Sequence, residues 1–304
     1  MKLLATSVVR GSDLLRSHGG AFLIDLEQQS VVQTLDWNKP DIDWQARGWE
    51  RGFRGIAFDK ETVFFAAGDE LFAYSPDFRR IQSWRNRYLK HCDEIVVYGR
   101  TLFLASTGFD CILGFDLDTH EFSWAMQVKE RDFHFQGSIF DPRLDDGPLM
   151  LNKLHINNVY CDSNGMYISG LRTGGMLHFN GKTVLMSAEL PPGSHNARPF
   201  RDGVLFNDSE AHVLRYSGRN TDAEDRAMAA PAFAAKDLLH AHSDVSAAGF
   251  TRGLCALSNT LVAGGSSPST VSLYDLAANC RLLSVNLSMD LRNAVYGLAC
   301  WPYD

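Results

Sequence analysis

A short phrase returns six times along the chain, an apolar run whose alternating side chains end in an aromatic residue or an aspartate at a turn. The copies are Phe22-Leu23-Ile24-Asp25-Leu26, Leu71-Phe72-Ala73-Tyr74, Ile112-Leu113-Gly114-Phe115-Asp116-Leu117, Met176-Leu177-His178-Phe179, Val213-Leu214-Arg215-Tyr216 and Val271-Ser272-Leu273-Tyr274-Asp275-Leu276. Short strands repeating at roughly forty residues indicate a propeller.

Each copy belongs to a larger unit. A second strand lies just upstream, as in Val63-Phe64-Phe65-Ala66 and Leu261-Val262-Ala263-Gly264, and before it a first strand and a tight turn, as in Glu94-Ile95-Val96-Val97-Tyr98-Gly99. Gly, Asn and Asp at those turns supply the positive backbone dihedrals that short hairpins need. A fourth strand follows in places, for example Arg80-Ile81-Gln82-Ser83-Trp84. Four strands make one blade.

The chain ends read as parts of one blade. Leu3 to Val9 has a second-strand pattern with no first strand ahead of it, and Gly297-Leu298-Ala299-Cys300-Trp301 has the missing first-strand pattern. Their pairing would remove exposed sheet edges. The expectation is an all-β, six-bladed β-propeller over residues 1–304 as a single domain, closed by pairing of the N- and C-terminal strands in one blade. Two stretches interrupt the rhythm, about 130–151 and 218–250; the first reads as a long loop, and Ala223 to Ala230 and Ala234 to Leu239 in the second have helical composition.

No apolar run approaches the roughly 20 residues of a membrane helix, and no sustained apolar segment precedes Arg10, so a cytoplasmic chain without membrane contact is expected. The six cysteines show no CxxC pairing and read as free thiols. A formal net charge of -7 with no basic cluster argues against nucleic acid as a partner.

In a propeller only the starts of the innermost strands, drawn from different blades, can converge. Aligning the blades by their second strands makes Arg54, Asp93, Asn157, His195, Arg252 and Tyr296 equivalent. His91 and His155 stand two residues earlier, on the same side of a strand of period two. Three histidines are thus expected at one mouth. His91, His155 and His195 are a candidate set for one divalent transition metal, because a three-imidazole site leaves a position for water or substrate. The metal-free alternative uses His155, His195 and Asp93 for proton transfer, with Arg54, Arg172 and Arg252 holding an anion. Asn157, Asp208 and Tyr296 complete the candidate ligand-binding residues. The small residues of Ser106-Thr107-Gly108 and Gly264-Gly265-Ser266-Ser267 read as hairpin connectors. His240-Ala241-His242-Ser243-Asp244 is a separate histidine pair within the second insertion. No GxSxG elbow, Walker motif or Rossmann glycine pattern occurs.

Leu154-His155-Ile156-Asn157, Ser194 to Leu205 and Arg252-Gly253-Leu254-Cys255 resemble segments of a bacterial family of propeller-like proteins of unknown function. The blade pattern is more distantly similar to the gluconolactonase and strictosidine synthase group of six-bladed propellers. The first resemblance implies importance for His155, His195 and Arg252. The second implies chemistry or ligand binding at the channel mouth, often around a cation held by carboxylate and asparagine oxygens, for which Asp93, Asn157 and Asp208 are the available groups. The expected function is an enzyme acting on a small polar or anionic molecule, of hydrolase, lyase or isomerase type. The competing class is a noncatalytic propeller that binds an anionic ligand or a protein partner.

Overall fold

Strict alternation of apolar and polar residues, broken every few residues by Gly, Asn, Asp or Ser, favours short antiparallel strands over helices, and strands dominate the computed structural model. It describes residues 1–12, 16–37, 52–132, 134–219, 225–241 and 247–303. In chain order the strands are β1 (Lys2–Val9), β2 (Gly20–Asp25), β3 (Ser30–Asp36), β4 (Ile56–Asp59), β5 (Thr62–Ala66), β6 (Glu70–Tyr74), β7 (Arg80–Arg85), β8 (Cys92–Tyr98), β9 (Thr101–Ser106), β10 (Cys111–Asp116), β11 (Glu121–Arg131), β12 (His134–Phe140), β13 (Ile156–Asp162), β14 (Gly165–Gly170), β15 (Gly175–Phe179), β16 (Val184–Glu189), β17 (Ser194–Phe200), β18 (Gly203–Asp208), β19 (Val213–Gly218), β20 (Arg226–Ala229), β21 (Thr251–Ala256), β22 (Leu261–Ser266), β23 (Thr270–Asp275), β24 (Cys280–Asn286) and β25 (Asn293–Cys300). They form six sheets, those of a six-bladed β-propeller. The recurrent phrase of the sequence is the third strand of each, in β2, β6, β10, β15, β19 and β23.

The chain divides into two compact units, Gly55–Pro199 and the remainder. In Gly55–Pro199 the sheets are β4-β5-β6-β7, β8-β9-β10-β11-β12 and β13-β14-β15-β16, followed by β17, which leads into the sheet completed by β18-β19-β20. Leu71, Leu89, Leu102, Leu104 and Phe115 fill one core of this unit. Ile112, Met126, Ile156, Ile168 and Leu177 fill another.

In the other unit the sheets β25-β1-β2-β3 and β21-β22-β23-β24 accompany β18-β19-β20. As the terminal sequence patterns imply, β25 pairs antiparallel with β1, with Leu3 opposite Cys300 and Ala5 opposite Leu298. Leu3, Ile24, Val271, Val295 and Leu298 share one core, and Leu205, Leu214, Tyr216, Val262 and Tyr274 another.

Two sequence expectations are corrected. The first insertion is not simply a loop: β11 continues to Arg131 and returns as β12, with Ala125 opposite Phe140, so the sheet gains a fifth strand. Its remainder is pinned by Tyr88, whose hydroxyl donates to Leu144 O at 3.0 Å and accepts from Gly147 N at 2.8 Å. In the second insertion Arg226–Ala229 is a fourth strand rather than a helix, with Leu214 opposite Met228. Alanine propensity yields here to the ladder offered by β19 and to burial of Met228. Ala235–Asp237 does form a single 3₁₀ turn. Ala223, His242, Ser243 and Asp244 lie outside the described residues. No helix among the described residues is long and apolar enough to cross a membrane.

Hydroxyl latches tie the second strand of one blade to the innermost strand of the next. Thr107 Oγ1 donates to Ile156 O at 2.6 Å, Ser209 Oγ to Thr251 O at 2.7 Å and Ser267 Oγ to Leu291 O at 2.6 Å. Thr6 Oγ1 donates to Arg54 O and accepts from Gly297 N at 2.9 Å. The small polar residues ending the second strands therefore do more than turn the chain. They donate to backbone carbonyls, and a buried carbonyl left without a partner costs about 1–3 kcal/mol.

Candidate functional site

The innermost strands are irregular where the polar residues stand. In β8 the register jumps from Cys92–Ser106 to Ile95–Leu104, so Asp93 and Glu94 together face one residue. In β13 it jumps from Ile156–Gly170 to Asn158–Ser169 around Asn157. Gly253 is the extra residue of β21, and Tyr296 and Gly297 sit opposite Thr6 in the bulge of β25. A bulge adds one residue to one strand, bends it and re-aims its side chains.

In the unit Gly55–Pro199 these bulges gather a polar cluster from β8, β13 and β17. Asn196 Nδ2 donates to Glu94 Oε2 at 2.6 Å, so β17 is tied to β8 past the intervening β13. Ile95 N adds a long bond to Glu94 Oε1 at 3.4 Å. Asn157 Nδ2 lies 2.9 Å from His195 Nδ1, and Asn158 Nδ2 donates to Ala197 O at 2.7 Å. Asn157, Asn158, His195 and Asn196 are all buried. Asn157 Oδ1 is buried with no hydrogen-bond partner, an arrangement that leaves an acceptor for a ligand or water.

Burial pushes the Glu94 carboxyl up to about 7, against the opposing pull of the Arg198 guanidinium and the Asn196 hydrogen bond; the neighbouring Asp93 carboxylate adds to the rise. Desolvation dominates because a carboxylate removed from water loses more than these partners return. A carboxyl poised near neutrality can give or take a proton at physiological pH.

The other unit carries a ladder of arginines and rings. Arg10 Cζ lies 4.2 Å from the Phe250 ring centre and Arg252 Cζ lies 5.2 Å from the same ring. Arg252 is also 4.4 Å from the Tyr296 ring, which Arg54 approaches at 4.9 Å. Stacking engages the face of a guanidinium and leaves its N–H donors directed in the plane, the geometry used to grip carboxylates and phosphates.

The sequence-derived candidates separate on this geometry. Asp93, Asn157 and His195 fall within the cluster of the unit Gly55–Pro199, and Arg54, Arg252 and Tyr296 within the ladder. His91, His155 and His195 are not brought together as a metal set: no group of three or more His, Cys, Asp or Glu side chains able to hold a metal ion occurs among the described residues. The period-two argument fails because His91 (φ 54) and His155 (φ 56) adopt left-handed backbone just before the bulges. His91 is exposed, and His155 Nδ1 is 3.0 Å from Asn152 Oδ1.

Arg172 and Asp208 make local contacts. Arg172 Nη1 donates to Asn152 O at 2.7 Å and Lys153 O at 3.3 Å. Asp208 accepts from Arg215 Nε and Ala211 N, both at 2.9 Å. Glu94, Asn196, Arg198, Arg10 and Phe250 were absent from the sequence-derived set. A signal for the first two existed in the polar doublets Asp93-Glu94, Asn157-Asn158 and His195-Asn196, which break strict alternation at corresponding places in three innermost strands.

No protein-family model matches the chain, and no curated protein matches it. Among solved structures, a chain in the crystal structure of a nidogen/laminin complex is similar over 98% of both chains, with TM-score 0.62 and 12% identity. A protein of unknown function from Bacteroides caccae is similar over 98% of this chain and 97% of its own, with TM-score 0.57 and 12% identity. Apo AztD from Citrobacter koseri matches over 95% of this chain and 82% of its own, with TM-score 0.50 and 9% identity. At these identities the likeness is one of fold alone.

Proposed function

We propose that this propeller is an enzyme that moves a proton on a small polar or anionic molecule bound at the starts of β8, β13 and β17, with Glu94 as the general acid–base group. The observation that carries this reading is the Glu94 carboxyl, held by Asn196 and poised at about 7 beside Asp93 and Arg198. Asn157 supplies a buried acceptor with no protein partner, and its amide fixes the orientation of the His195 imidazole. Arg198 supplies positive charge toward an anionic group. Hydrolase, lyase and isomerase chemistry all need such proton transfers, and this reading needs no metal.

The test begins with a thermal-shift screen of small carboxylates, hydroxy acids, sugar acids and phosphate esters. Hits are then incubated with the protein and followed by NMR for conversion. The expected result is a hit that is converted, with turnover reduced at least about 10²-fold in Glu94→Gln while binding persists. Hits that bind but are never converted, or that are converted equally well by Glu94→Gln, would overturn the proposal.

A second reading rests on the ladder Arg10–Phe250–Arg252–Tyr296–Arg54: noncatalytic recognition of an anionic ligand. It predicts hits whose thermal shift is lost in Arg252→Ala and unaffected by Glu94→Gln. A protein partner remains an alternative occupant under the same reading.

A further inference from the structure

The six cysteines are all free thiols, yet two of them stand together. Cys255 lies in β21, and Cys300 ends β25, strands that pack against each other in the same unit. Cys300 stands opposite Leu3, and Leu3, Leu298 and Cys255 share one core. Leu298 and Cys300 are two residues apart on β25 and so project from the same face. A Cβ placed on Gly253 would lie 3.4 Å from Leu298 Cβ, so β21 and β25 are in contact two residues before Cys255 and Cys300.

The two thiols also differ in the way a redox pair requires. Cys300 is exposed while Cys255 is buried. The neighbouring Cys255 thiol draws the Cys300 thiol down to about 6, against the effect of its partial burial. A lowered thiol favours the thiolate, the form that attacks peroxides. By contrast, burial pushes the Cys161 thiol up to about 12.

We infer that Cys300 and Cys255 are a redox modification site, Cys300 as the attacking thiol and Cys255 as the resolving one, for a two-electron oxidant of the peroxide class. The Cys300 thiolate attacks one peroxide oxygen, the O–O bond breaks, and hydroxide leaves with formation of a sulfenic acid. The Cys255 thiol then attacks the sulfenic sulfur, an S–S bond forms, and water leaves. Two thiols and one hydrogen peroxide become one disulfide and two waters. The bond ties the first strand of one blade to the strand that joins the chain ends, and a thiol reductant reverses it. This inference concerns a different unit from the proposed proton-transfer site and does not depend on it.

The test uses the wild-type protein treated with equimolar hydrogen peroxide, alkylated under non-reducing conditions and mapped by mass spectrometry. Before alkylation the expected product is 2 Da lighter than the reduced protein; after it, the peptides of Cys255 and Cys300 are joined and the other four cysteines alkylated. In Cys255→Ser, Cys300 should accumulate as a sulfenic acid trapped by dimedone. Six alkylated cysteines after peroxide treatment, or Cys300 driven to sulfinic acid in the wild-type protein, would overturn the assignment. So would a disulfide between any other pair.

Discussion

Replacing Glu94 by Gln makes the pH dependence of stability a direct probe of the site. The folded chain holds a proton on Glu94 up to about pH 7, whereas an ordinary glutamate releases it near 4.5. Between those values the folded state binds more protons than the unfolded one, so stability falls as pH rises, and the contribution is complete only below pH 4.5. The difference corresponds to about 3 kcal/mol at 1.36 kcal/mol per pH unit. Glu94 retains some solvent contact, so this is an upper value. With an unfolding entropy of about 2.1 cal/mol/K per residue over 304 residues, it translates into about 5 °C of melting temperature. Gln is neutral throughout and still accepts from Asn196. Glu94→Gln should therefore melt with the wild-type protein at pH 4.5 and about 5 °C above it at pH 8.5, by calorimetry at both pH values. Parallel pH profiles for the two proteins would refute the reasoning, since every other titrating group is common to both.

Other consequences can be measured independently. Thr107→Val keeps the shape but removes the donor to Ile156 O, and should destabilise by about 1–3 kcal/mol in urea unfolding; an unchanged midpoint would mean that water replaces the latch. Iodoacetamide labelling of Cys300 should follow a pH profile with a midpoint near 6, as its depressed thiol requires. In Cys255→Ala that midpoint should move upward, since the neighbouring thiol is gone. His91→Ala and His155→Ala should leave the metal content of the purified protein unchanged, because these side chains belong to no metal-capable group among the described residues; stoichiometric metal lost on either substitution would restore the three-histidine site.

The blades were legible because each third strand buries apolar residues against its neighbours. The same demand for Leu, Ile, Phe or Tyr at alternate positions recurs in β6, β10 and β23, whatever else surrounds them. The candidate cluster was legible only where it coincided with the start of a regular strand. Asp93, Asn157 and His195 were reached by alignment. Glu94 was missed because perfect alternation assigns it to the side away from Asp93, and only the extra residue in β8 cancels that assignment. The three histidines form no metal-capable group among the described residues for the same reason in reverse, since left-handed backbone at His91 and His155 breaks the two-residue period on which the expectation relied. Arg10 and Phe250 reach the ladder from outside the aligned columns, so no register argument could have linked them. The helical composition of the alanine-rich segment yielded, over Arg226–Ala229, to a neighbouring strand edge.

The surplus residue in β13 separates the architecture from the candidate site it carries. Removing Asn157 would not sever the sheet, because Ile156 and Asn158 already pair with adjacent residues, Gly170 and Ser169, of β14. The shortened chain could knit into an uninterrupted ladder and keep its blade while losing the amide that orients His195. A single-codon deletion would then give a well-folded scaffold lacking that amide, the background against which any activity assigned to this surface can be judged.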